Sequence, residues 1–197
     1  MKTINKAILA IIGVALITGC SLESSPIDSL TNEFEAIKET NYQSSPLLLN
    51  EKYALEDMAL LTNEEKIFDI LLDWQSIKAT QNQINVERLS LEENVQTMKN
   101  LATLFKDSGL TLATDEISWI RSQRNQLKEY REDIIETMGL VYAPIQELEG
   151  MYSLENIDLI ATVFEQAADN LAIRLDVFTK VNAIISEVII FLTSKVG

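Results

Sequence analysis

The C-terminal forty residues constrain this chain more than any other stretch. Leu154, Ile157, Ala161, Phe164, Ala168, Leu171, Leu175, Phe178, Asn182, Ile185, Ile189, Leu192 and Val196 follow one another at alternating steps of three and four. That spacing puts one stripe along a helix and holds it in register against partner helices. A single amphipathic helix cannot bury its stripe alone, so the rest of the chain must supply complementary rods. It does. Thr62 with Glu65 has the spacing of a capping box, and after it come Ile67, Leu71, Trp74, Ile77, Ile84, Leu91, Val95, Met98 and Phe105. Ser90 and Glu93 offer a second box, but one long or kinked helix ending at Gly109 is the favoured reading, with Gly109 as its left-handed C-cap. A further helix starts near Thr114 and shows Ile117, Ile120, Arg124, Leu127, Arg131, Ile134 and Met138, and Gly139 is expected to stop it. Pro144 and Gly150 then mark a connector. No period-two stretch bounded by hairpin turns competes. The expected fold is an all-α, antiparallel helical bundle with long coiled-coil-like helices over 47–197.

The N-terminus carries a different message. Lys2 and Lys6 precede an unbroken apolar run from Ala7 to Ile17, which is shorter than the roughly twenty residues a membrane-spanning helix requires. Residues 1–19 are therefore expected to be an export signal that is removed. Ile17-Thr18-Gly19-Cys20 resembles the bacterial lipobox, an apolar residue and two small ones before the cysteine that receives diacylglycerol. The resemblance covers the first twenty residues only, and Ile17 stands where Leu is commoner. It implies lipidation of Cys20, attachment to a membrane outside the cytoplasm, and function at that surface. Cys20 is the only cysteine, so it has no intramolecular partner. Residues 20–46, rich in Ser and Asn with Pro26 and Pro46 as breakers, are expected to form a tether. Within it Ile27, Leu30, Phe34 and Ile37 predict a short amphipathic helix over about 28–40, and a second short helix is expected over about 50–61.

Charge narrows the partners. From Cys20 onward the chain carries 14 basic and 30 acidic side chains, net −16, with no basic stripe, so nucleic acid is not an expected partner. The chain has no histidine and its one thiol is expected to be blocked, which removes the usual nucleophile and base pairs and the common zinc sites. No catalytic residue, metal site or cofactor is expected, and the chain is not expected to be an enzyme. Asp69 with Asp73 and Glu132 with Glu136 lie one helical turn apart, as solvated faces commonly do.

Three further groups stand out. Arg124, Arg131 and Asn182 occupy seam positions and predict buried polar contacts that set register. If the chain reverses near residue 146, Arg124 falls level with Ala168 and meets Asp169 or Glu165. Trp119, Gln123, Gln126 and Tyr130 share a helix face that could grip a partner, or simply pack beneath another helix. Val181 to Leu192 spreads apolar residues too widely for one seam and must be covered by protein, in the bundle or by self-association through 181–196. These features together predict a binding or interaction module for another envelope or extracellular protein. The alternative is a ligand-sensing or solute-receptor lipoprotein, although the alternating strands and helices of two-lobed receptors are missing.

Overall fold

Spacings of three and four do produce helices along almost the whole body of the chain. The structure, a computed structural model, describes residues 25–40, 49–62 and 64–197; Cys20, the apolar run before it and the segment 41–48 lie outside them. Five α-helices follow in order: α1 (Pro26–Thr40), α2 (Leu49–Leu61), α3 (Glu65–Asp107), α4 (Thr114–Glu147) and α5 (Ile157–Val196), with a single 3₁₀ turn at Leu154–Asn156 before α5. There is no strand among the described residues. The fold is an all-α helical bundle.

α3 is unbroken over 43 residues, about 65 Å at 1.5 Å per residue. It starts behind Glu64 with no side-chain cap, so the box anticipated from Thr62 and Glu65 is not made. Gly109, at φ +66°, takes the left-handed conformation that turns the chain out of α3. α4 opens with half a capping box: Glu116 accepts from the Ala113 N–H at 2.8 Å, and alanine has no oxygen to reciprocate.

Gly139 does not end α4, which runs through it and through Pro144 to Glu147. The two breakers are tolerated because burial outweighs propensity. Val141, Ile145 and Leu148 continue the buried stripe past the glycine. Each of those side chains is worth about 1.5–3 kcal/mol once buried, against about 1 for a helical glycine and about 3 for a helical proline.

Two contacts fix the direction of α5 against α3. Lys66 pairs with Asp158, 92 residues on, and the Asn182 side chain donates to the Glu87 carbonyl, 95 residues back. The near-constant offset makes α3 and α5 parallel, and theirs is the most extensive interface in the bundle. α4 runs antiparallel to α5, with Glu116 against Lys195 and Trp119 against Phe191. α3 and α4 lie on a diagonal and their backbones hardly approach.

α1 packs between them at one end, and α2 lies along α3 at the other. Lys99 of α3 reaches Glu35 of α1, and Lys52 of α2 lies over the Trp74 ring of α3. Both short helices run against α3, so they form a fourth rod in two pieces. Ile27, Leu30, Phe34 and Ile37 of α1 are buried in the common core. α1 is therefore part of the packed body, although it lies inside the stretch expected to be a tether.

The same register accounts for the C-terminal segment. Val181, Ile184, Ile185, Val188 and Leu192 are buried within the chain itself, and of the large apolar side chains in the segment only Ile190 is strongly exposed, at 69%. α4 continues past Gly139 and reaches the far end of α5, so it runs alongside this segment.

Candidate functional site

The two seam arginines of α4 sit one above the other, seven residues apart, and both turn to α1. Arg131 Nη1 lies 3.3 Å from Glu33 Oε2 and Arg124 Nε lies 3.9 Å from Glu33 Oε1. Glu33 is 9% exposed, while each arginine side chain keeps about a third of its surface in solvent. Asp169 and Glu165, the partners expected for Arg124, belong to another level of the bundle. That expectation assumed a reversal near residue 146; the observed connector is 148–156, so Arg124 lies toward the C-terminal half of α5. Two guanidinium groups share one carboxylate, and their geometry is that of an ion pair without aligned hydrogen bonds. The cluster clamps α1 into the slot between α3 and α4.

Asn182, on the seam of α5, is half-buried. Its amide donates to the Glu87 carbonyl at 2.9 Å and to Glu87 Oε2 at 2.6 Å, tying α5 to α3 at one level. A second polar level was not legible in the seam. Gln81 of α3 donates to the Tyr142 hydroxyl of α4 at 3.4 Å, and Arg174 of α5, only 3% exposed, lies near the same phenol. Burial lowers the Arg174 pKa and raises that of Tyr142. Arg174 directly precedes the seam residue Leu175, and counting the seam alone passes over it. Leu171-x-x-Arg174 at a three-residue step was the available signal.

The aromatic face of α4 is largely packed. The Trp119 ring stands 5.1 Å from that of Phe191, tilted by 53°, and Gln123 is buried at 9%. Tyr130 is half-buried and Gln126 exposed. The four residues thus do not make one open stripe: Trp119 packs on Phe191 of α5, and Gln123 is buried.

The carboxylate pairs separate in character. Asp73 has a raised pKa, first from burial and then from Glu165, Asp69 and Asp169, so acids of α3 and α5 face each other across the parallel interface. Glu132 and Glu136 are exposed. Among the described residues no group of three or more potential ligands is placed to hold a metal ion. No helix among them is long and apolar enough to cross a membrane.

One cleft, of about 320 Å³, opens between the start of α2 and the α4–α5 connector, lined by Asn50, Glu51, Ala54, Glu149, Gly150 and Tyr152. The Tyr152 hydroxyl is buried without a hydrogen-bond partner among the described residues, and its pKa is raised by burial and by the nearby Glu51 carboxylate. Gly150 at φ +78° makes the turn that brings Tyr152 to α2. Set against family models, curated proteins and solved structures, the chain matches none.

Proposed function

We propose that this chain is a lipid-anchored, extracytoplasmic helical bundle that acts as a binding module for another protein at the cell envelope. The observation that carries the reading is the lipobox-like Ile17-Thr18-Gly19-Cys20 placed six residues before Pro26, where the first packed helix starts. Five intervening residues extend to about 17 Å at most. A bundle attached through Cys20 would therefore stand against the membrane at its α1 end. Two or more acyl chains on one residue give stable attachment, since each buried methylene contributes about 0.8 kcal/mol. The test is metabolic labelling with radioactive palmitate. Wild type should be labelled and found with membranes, and Cys20→Ala should be unlabelled and either soluble or held as precursor. Equal labelling of both would reject the anchor.

The cleft at Tyr152 supports a second reading, a receptor for a small cationic ligand. Among the described residues Glu51 and Glu149 line it without a basic partner, and the Tyr152 hydroxyl has no hydrogen-bond partner. Isothermal titration with spermidine, comparing wild type and Glu51→Gln, separates the readings: heat that is lost in the variant favours the receptor.

A further inference from the structure

Charge is distributed very unevenly along the bundle. Residues 49–73 and 147–169, which come together at the α2–α3 turn and the α4–α5 connector, hold thirteen acidic and two basic side chains, net −11. The rest of the described chain, 25–40, 74–146 and 170–197, holds sixteen acids against twelve bases. Both bases of the acidic end are already engaged, Lys52 with Glu56 and Lys66 with Asp158.

The same end carries apolar side chains in solvent. Leu60 and Leu61 close α2 at 84% and 83% exposure, and Phe68 and Leu72, one turn apart on α3, are 48% and 61% exposed. α2 buries Leu55 and Met58 on its inner side, so these leucines are not needed to hold it down. Exposed apolar groups rimmed by charge of one sign mark protein contact surfaces, and the sign selects the partner.

We propose that this end of the bundle, built around Leu60, Leu61, Phe68 and Leu72, docks a partner protein through a surface that combines lysine or arginine with apolar side chains. The proposal deepens the binding-module reading and rests on it for the location. Pro26 lies at the opposite end of the fourth rod from Leu61, so an anchor at Cys20 would hold the docking end away from the membrane. A lipid occupant is disfavoured by charge, since anionic headgroups and this end repel each other. A basic amphipathic surface satisfies both the leucines and the carboxylates.

The experiment uses residues 20–197 with Cys20→Ser, which keep every described residue and need no lipid. The probe is a fluorescent fifteen-residue amphipathic helix of leucine and lysine, with a control peptide in which serine replaces leucine. In anisotropy titrations at 150 mM salt the leucine–lysine helix should bind at least tenfold more tightly than the control. Leu60→Ser with Leu61→Ser should remove that difference, while Ile190→Ser at the far end should leave it intact. Both leucines are solvent-facing, so circular dichroism should show the double variant folded. Equal binding of the two peptides, or equal loss on changing Ile190, overturns the proposal. Sedimentation that shows a dimer abolished by the leucine changes would make a second copy the occupant, and leucine-dependent capture by phosphatidylglycerol vesicles would make it a membrane; either rejects it. Because no lipid is involved, binding without palmitate labelling would leave the surface standing and remove only its address.

Discussion

Glu33 is the one carboxylate that both seam arginines of α4 face. Taking its charge away as Glu33→Gln leaves Arg124 and Arg131 facing each other without a counterion. Breaking a fully buried pair costs about 3–5 kcal/mol, but about a third of each arginine side chain is in solvent, so a loss of about 1–2 kcal/mol is expected. Urea denaturation measures it, and adding Arg131→Met should return part of the loss. Asp73 works in the opposite direction. Its pKa is raised in the folded protein, so the folded state binds the proton more readily than the unfolded chain. The ionised form therefore destabilises the fold at neutral pH, and that penalty fades as pH falls through the folded value. Asp73→Asn should raise the melting temperature at pH 7 and gain little at pH 4. Glu35 has the other sign: burial raises its pKa, but Lys38 and Lys99 together outweigh burial and bring it below the ordinary value. Its contribution is present at neutral pH and lost as the solution is acidified through that lowered value.

Among the helices, α4 and α1 carry the sharpest expectations. Gly139 lies inside α4 with nothing within 4 Å of an added Cβ. Gly139→Ala should therefore stabilise by about 1 kcal/mol, the difference in helix propensity, read from the same denaturation curves. Phe34 of α1 is fully buried, and Phe34→Ala should cost about 3–5 kcal/mol if α1 is as much part of the core as its burial states. How these elements could be seen in advance differs between them. The stripes of α3 and α5 were legible because each apolar position repeats the same demand over many turns, and α1 because Ile27, Leu30, Phe34 and Ile37 do so in miniature. The end of α4 was not, since Gly139 and Pro144 are local signals and the burial of Val141, Ile145 and Leu148 that overrides them is tertiary. The partner of Arg124 and Arg131 was hidden for the same reason. A seam states that a polar residue needs a counterpart; only the register, which the connector length sets, states which one. The pairing of Gln81, Tyr142 and Arg174 joins three separate helices and leaves almost no mark on any one of them.

Taken whole, the molecule is an electrostatic rod with one heavily negative end. Like charges crowded there oppose folding and are screened by salt, the Debye length falling from about 10 Å at 0.1 M to about 3 Å at 1 M. The melting temperature should therefore rise between 50 mM and 500 mM sodium chloride, and calorimetry at the two salt concentrations checks it. The parallel pairing of α3 with α5 has a further consequence, one of time. Most helical bundles can zip up between successive neighbours as the chain emerges. Here the broadest interface joins stretches 92 to 95 residues apart, and the backbone of α3 hardly approaches that of α4, the helix that follows it. A chain delivered from its N-terminus would expose Ile70, Ile77, Ile84, Leu91 and Met98 until α5 arrives. Long-range closure of this kind slows folding and leaves apolar surface open to aggregation, so the last forty residues act as the latch for everything made before them.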